Sequence, residues 1–237
     1  GADSIFNHAT SVTIEAGNDA DYISNFSGKV SIYGGSGNDS LYNSTGGSNV
    51  TLEGGNDADY ISNKGSKVLI RGGAGNDTIK NYGANVTIGG GNGKDRIYSY
   101  ASSTVTISGG DGADYLDNSG AAASMVGGNG NDTLTGGAGN DVFFYQSGQG
   151  TDIITDYSSG DKIKISGAKI SSTSVSGSDV VLKVGSGSVR VKNGKNKSLS
   201  IYNNSTSATS TVIGSSSSST TSGNTSTSVT LTNSTTS

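Results

Sequence analysis

Aspartate recurs along this chain at a nearly constant step. Asp3, Asp21, Asp39, Asp59, Asp77, Asp95, Asp114 and Asp132 are mostly 18 residues apart, and the other steps are one or two residues longer. Each closes a glycine turn, as in Gly34-Gly35-Ser36-Gly37-Asn38-Asp39 and Gly127-Gly128-Asn129-Gly130-Asn131-Asp132. A carboxylate is a hard oxygen donor, and a glycine turn frees main-chain carbonyls to point inward where side chains would obstruct them. Calcium takes six to eight such oxygens at ~2.3–2.6 Å and accepts carboxylates and carbonyls together. One turn is too short to surround an ion. Two turns stacked one rung apart are not, so ions are expected between neighbouring turns, sharing the aspartates above and below.

Substitutions within the turns fit this chemistry. Asp19 and Asp57 replace the third glycine, where Asp tolerates left-handed geometry, and Asp111 adds a carboxylate to another turn. Glycine and aspartate are also ordinary turn formers. A turn, however, requires one of them and not an aspartate in register eight times, with three glycines before it in five of the eight turns.

The repeated turns need regular elements to hold them. Two positions after each aspartate stands an aliphatic residue: Ile5, Ile23, Leu41, Ile61, Ile79, Ile97, Leu116 and Leu134. Rungs begin at Val12, Val30, Val50, Val68, Val86, Val105 and Ala123, each opening a short strand such as Val-Thr-Ile-Glu. Alternation sends Val12 and Ile14 to one face and Thr13 to the other, and Ile23 inward with Tyr22 and Ser24 outward. A second turn starts near Asn25, Asn43, Asn63, Asn81 or Asn118. These turns carry no acid through residues 25–122, so calcium is expected mainly on one edge, about seven ions in all. Residues 12–43 and 50–81 resemble each other as blocks, which suggests duplication of a two-coil unit.

Glycine throughout and the lack of a 3.6-residue apolar period exclude helix. The reading is an all-β, parallel β-roll: a two-sheet solenoid of about 18 residues per coil. Eight rungs at ~4.8 Å make a rod of roughly 40 Å. After Asp132 the pattern changes. Gly136-Gly137-Ala138-Gly139-Asn140-Asp141 follows at a step of nine, placing a calcium turn on the other edge, with Asp152 and Asp161 each twenty residues beyond Asp132 and Asp141. The roll is expected over 1–165 and a small antiparallel β cap over 166–204. The cap's hairpin pairs Asp179–Val184 with residues 188–192, covering an otherwise sticky edge. Residues 205–237, uncharged and mostly Ser and Thr, read as a disordered linker or tail.

Composition narrows the function classes. The chain has 237 residues, 39 of them glycine, and only 30% hydrophobic residues. That composition alone suggests disorder, but stacked repeats can build a thin continuous core from a few apolar residues per rung. Net charge is −4 with no basic stripe, so nucleic acid is not an expected partner. No apolar run is long enough for a membrane span. There is no cysteine, hence no disulfide framework, and a metal is the obvious substitute staple. The chain opens at Gly1 inside a repeat without Met, which reads as a piece of a longer protein.

Other constellations are weaker. His8 is the sole histidine, so a histidine-based triad cannot be assembled, and the aspartates are needed as ligands; the chain reads as a non-enzyme. Thr13, Ser31, Thr51, Thr87, Thr106 and Ser124 form an outward file of the kind that could meet an ordered surface. Leu69 interrupts it, and β-branched residues suit strands anyway. Tyr22, Tyr60 and Tyr115, with Tyr42 and Tyr98 nearby, offer a second outward file that could contact surface glycans or other copies of the chain, although stacking along the rod explains them as well.

The repeat G-G-x-G-x-D-x-U-x resembles the calcium-binding nonapeptide of the RTX, or haemolysin-type, family. Asp152-Ile153-Ile154-Thr155-Asp156-Tyr157, followed by Gly160-Asp161-Lys162-Ile163, is similar to the flank that commonly ends such rolls. The resemblance covers residues 1 to about 165 and implies a parallel β-roll from a bacterial protein exported by type I secretion and folded by calcium outside the cell. It also implies the ligand set: the turn aspartates from Asp3 to Asp161 together with carbonyls of Gly34, Gly54, Gly72, Gly90, Gly109, Gly127 and Gly136. Most family rolls carry calcium turns on both edges, whereas this one does so only around Asp132 to Asp161. The expected role is a structural spacer of a secreted or surface protein. The alternatives are an adhesive module, or the C-terminal export module of a hydrolase or toxin.

Overall fold

A computed structural model describes residues 1–203 and 209–212. It is built of strands without helix among these residues, and no helix is long and apolar enough to cross a membrane. Every coil contributes one strand to each of two sheets. The first sheet runs Ser4–Asn7, Tyr22–Asn25, Ser40–Asn43, Tyr60–Asn63, Thr78–Asn81, Arg96–Ser99, Tyr115–Asn118, Thr133–Thr135 and Thr151–Ile154. The second runs Thr13–Asn18, Ser31–Ser36, Thr51–Asn56, Leu69–Ala74, Thr87–Asn92, Val105–Asp111, Ala123–Asn129, Val142–Gln146 and Lys162–Ser166. All of these neighbours pair parallel. The expected parallel two-sheet roll is therefore the fold observed, with nine coils rather than eight.

Register follows the sequence repeat. In the first sheet Ile23 pairs with Leu41, Leu41 with Ile61 and Ile61 with Ile79, so identical positions stack. The core consists of three such files: Ile23 to Ile154 from one sheet, Ile32 to Ile163 from the other, and Val30, Val50, Val68, Val86 and Val105 at the corner. Each of the five rungs from Val30 to Val105 thus excludes water with three aliphatic side chains, and only stacking makes that core continuous.

The asparagine edge is held by side chains as well as packing. Asn7 Nδ2 donates to Asn25 Oδ1 at 2.7 Å, Asn25 to Asn43 at 2.7 Å, Asn43 to Asn63 at 2.7 Å and Asn63 to Asn81 at 2.8 Å. The second proton of Asn63 goes to Gly65 O, and its oxygen also accepts the Gly65 N–H. A buried amide with its donors and acceptor so filled is neither costly nor free to turn.

Both sheets end in antiparallel pieces. Gly187–Val191 pairs parallel with Thr151–Ile154, then antiparallel with Asp179–Val184, which in turn pairs with Ile170–Ser176. In the other sheet Ser198–Asn203 pairs parallel with Lys162–Ser166 and antiparallel with Thr209–Val212. Tyr157 ties this end together: its buried hydroxyl donates to Asp161 O and accepts the Ser200 N–H, both at 2.8 Å. The Ser/Thr-rich stretch 205–237 lies outside the described residues apart from Thr209–Val212.

Candidate metal centre

The aspartates form a buried ladder along one edge. Asp21, Asp39, Asp59, Asp77, Asp95, Asp114 and Asp132 are each no more than 2% exposed. Their geometry repeats because the turns stack in register. Oδ1 of each accepts the backbone N–H of the aspartate one rung earlier: Asp39 N to Asp59 Oδ1, Asp59 N to Asp77 Oδ1 and Asp77 N to Asp95 Oδ1, all at 2.8 Å. Oδ2 of the same residues is buried and has no hydrogen-bond partner among the described residues, and the same holds at Asp141 on the opposite edge.

In the turns closed by Asp39 to Asp141 the first glycine leaves room for that second oxygen, whereas the Asp21 turn carries Ala16 there. A Cβ on Gly54 would collide with Asp59 Oδ2 and crowd the carbonyl oxygen of Gly72 one rung on. The pattern recurs at Gly34, Gly72, Gly90 and Gly109, so at five successive rungs an unpartnered carboxylate oxygen and the next rung's carbonyl flank one glycine Cα. At Gly127 and Gly136 the carboxylate oxygen is present, of Asp132 and Asp141 respectively. The second glycine bends the turn: Gly55 has φ +124°, and a Cβ there would strike Gly35 O.

An ionised carboxylate buried without a partner is very costly, so such groups neutralise or find a cation. Burial raises the carboxyls of Asp39, Asp77 and Asp114 above their ordinary range. It pushes Asp59 and Asp95 to about 7, Asp132 and Asp141 to about 6, and Asp152 to about 8. Neighbouring carboxylates add to the rise at these five, while the donated backbone N–H opposes it.

The donor set fits a hard cation. Among the described residues no three His, Cys, Asp or Glu side chains converge on one point. An ion here would therefore draw on one or two carboxylates and take its remaining oxygens from the main chain. Calcium accepts that mixture readily, whereas a thiolate- or imidazole-seeking metal does not.

The other expected residues are placed differently. Asp3 is exposed at the first rung, although its N–H donates to Asp21 Oδ1. Asp19 and Asp57 adopt the left-handed conformation, with φ of 77° and 74°, but their side chains are exposed and outside the ladder. Asp152 accepts Asp132 N–H at 3.2 Å. Asp161 has both oxygens engaged, by the N–H groups of Asp141 and Ser158. Two residues gain roles not read from the sequence. Asp156 accepts the N–H groups of Gly136 and Gly137, bracing the second-edge turn. Asn118, one rung beyond the Ser99 that interrupts the asparagine ladder, donates to Gly136 O of the same turn and keeps a buried Oδ1 with no hydrogen-bond partner among the described residues.

Residues 27–48, 71–101, 105–122 and 122–154 match the family model of the RTX calcium-binding nonapeptide repeat, in four copies. The rung of Asp59 lies outside these segments yet has the same geometry. No curated protein matches the chain. Among solved structures, the extracellular lipase LipA from Serratia marcescens is similar at 17% identity and a TM-score of 0.37. The match covers 73% of this chain, which spans 38% of that one. Over those four segments the stacked turns of this chain match RTX calcium-binding nonapeptide repeats.

Proposed function

We infer that the roll folds by taking up calcium into its carboxylate ladder and then serves as a rigid spacer in a secreted or cell-surface bacterial protein. The observation that carries this reading is the buried Oδ2 without a partner, repeated rung after rung. The residues that would hold calcium are Asp21, Asp39, Asp59, Asp77, Asp95, Asp114 and Asp132, with carbonyls of the first turn glycines. On the second edge they are Asp141 with Gly136. Asp3, Asp152 and Asp161 terminate the two ladders, and Asp19 and Asp57 add charge outside them. Bound calcium supplies the positive charge that lets these carboxylates stay ionised while buried. The chain's own part is to fix Oδ1 by a hydrogen bond, aim Oδ2 between rungs and keep water out with the aliphatic files. Export fits this design. RTX repeats are typical of secreted bacterial proteins, and millimolar calcium outside a cell suits sites in the ~10⁻⁴–10⁻³ M range of extracellular modules.

Substitution at the centre and at the end of the ladder tests the reading. Asp77→Ala removes one unpartnered oxygen and the acceptor of the Asp59 N–H. It is expected to raise the calcium midpoint of folding several-fold and to flatten the transition, because the stacked turns on both sides lose a shared group. Asp3→Ala removes an exposed carboxylate and should leave the midpoint unchanged. Equal effects of the two in a calcium titration followed by circular dichroism would refute shared sites.

A further inference from the structure

Charge is segregated between the two edges of the roll. The aspartates line one. The turns of the other, which follow the asparagine ladder from His8 to Ser103, contain no Asp or Glu, and neither do the first-sheet strands from Ser4–Asn7 to Arg96–Ser99. The charges found there are Lys29, Lys64, Lys67, Lys80 and Arg96, in a chain of net charge −4. This side of the rod is basic against the chain's overall sign.

Aromatic rings gather on the same side in two files. Across the sheet, Phe6, Tyr22, Tyr42 and Tyr60 succeed one another at centroid separations of 5.8, 5.2 and 5.7 Å, and Lys80 Nζ lies 5.5 Å above the Tyr60 ring. Along the edge His8 stacks on Phe26 at 4.6 Å and Tyr82 on Tyr100 at 5.1 Å. Between these pairs Ser44 and Lys64 replace the aromatic residue, and a groove of about 490 Å³ opens. Tyr42, Tyr82 and Lys64 border it together with Ser24, Ser44 and Ser62.

We propose that this groove binds an acidic polysaccharide, with one pyranose ring against Tyr42 and Tyr82 and its carboxylate or sulfate paired with Lys64. Tyrosine joins an apolar ring face, suited to the C–H face of a sugar, to a hydroxyl that can hydrogen-bond. The serines supply short donors and acceptors for sugar hydroxyls. Tyr82 is 47% exposed, and Lys64 is exposed and makes no ion pair among the described residues. Charge complementarity selects an anionic partner over a neutral one. The cations are too few and too scattered to track a nucleic-acid backbone, which favours the glycan. The tyrosine file from Tyr22 to Tyr60 continues from the groove and gives neighbouring sugar rings a surface.

The test is calorimetric titration of the calcium-loaded protein with a galacturonate trisaccharide, a heparin hexasaccharide, a neutral cello-oligosaccharide and a single-stranded oligonucleotide. At least one acidic oligosaccharide is expected to bind. Its affinity should fall at least tenfold in Lys64→Gln, in Tyr82→Ala and in Ser44→Trp, which fills the groove. It should be unchanged in Arg71→Gln on the opposite sheet. Preference between the two acidic probes tells carboxylate from sulfate. Binding of neither acidic probe, equal binding of the neutral sugar or the oligonucleotide, or equal loss in Arg71→Gln would overturn the proposal. Calcium titrations of every variant by circular dichroism keep the two readings apart. A roll that folds with calcium but binds no glycan removes only the groove, whereas a roll indifferent to calcium removes only the metal reading.

Discussion

In excess chelator at neutral pH the roll is expected to lose its sheet signal in circular dichroism and to regain it cooperatively as calcium is restored. Eight aspartates bury an oxygen that no hydrogen-bond donor among the described residues pairs with. Ionised, they destabilise the fold; with calcium, the same groups hold adjacent rungs together. Sites of ~10⁻⁴–10⁻³ M at millimolar calcium contribute roughly 0.4–1.4 kcal/mol each by mass action. The five rungs that repeat the full geometry then supply on the order of 2–7 kcal/mol, comparable with the ~5–15 kcal/mol stability of an ordinary domain. Three aliphatic side chains per rung and a glycine-rich backbone with much entropy to lose leave little margin without that contribution. A roll equally folded in chelator and in calcium would contradict the account.

Acid should act in opposite directions with and without calcium. The folded-state carboxyls of Asp59 and Asp95 lie at about 7, those of Asp132 and Asp141 at about 6 and that of Asp152 at about 8, all above the ordinary 3.8. A raised folded value means the folded chain holds more protons than the unfolded one between pH 4 and these values. Their contribution to stability is therefore greatest below about pH 4 and is lost as pH rises through about 6–8. In chelator the roll should be more stable at pH 5 than at pH 8. With calcium present protons compete for the same oxygens, so the calcium midpoint should climb as pH falls, by up to about tenfold per unit for each proton displaced. Thermal unfolding in chelator and calcium titrations, each at pH 5 and 8, read both effects. Chelator-state stability that rises with pH would show that the ladder carboxylates are not buried as described.

Much of this was legible in the residues, because a solenoid turns sequence period directly into spatial stacking. The step from Asp39 to Asp59 to Asp77 is the ladder itself, and Ile23, Leu41 and Ile61 are the core file. The hairpin of Asp179–Val184 was readable from alternation around a glycine turn. What escaped depends on which atom of a side chain faces where. Nothing in the letters says that Oδ1 of Asp59 is taken by the Asp39 N–H while Oδ2 is left for an ion. The asparagines at 25, 43 and 63 read as turn formers because each is one locally. Their amide chain appears only when stacking brings residues 18 or 20 apart into contact. Asp156 was visible within its motif, yet its acceptance of the Gly136 and Gly137 N–H groups depends on a fold-back across twenty residues. The groove beside Lys64 arises from two missing aromatics in an edge file that exists only once the coils are aligned.

The most direct test is a crystal structure of the calcium-loaded protein with anomalous data that locate the ions. The account predicts one ion per rung along the aspartate edge, beside Gly34, Gly54, Gly72, Gly90 and Gly109, each bound by the Oδ2 that has no hydrogen-bond partner among the described residues. Ions found only at the exposed Asp19 and Asp57, with the buried oxygens of Asp39 to Asp114 bound to none, would contradict it.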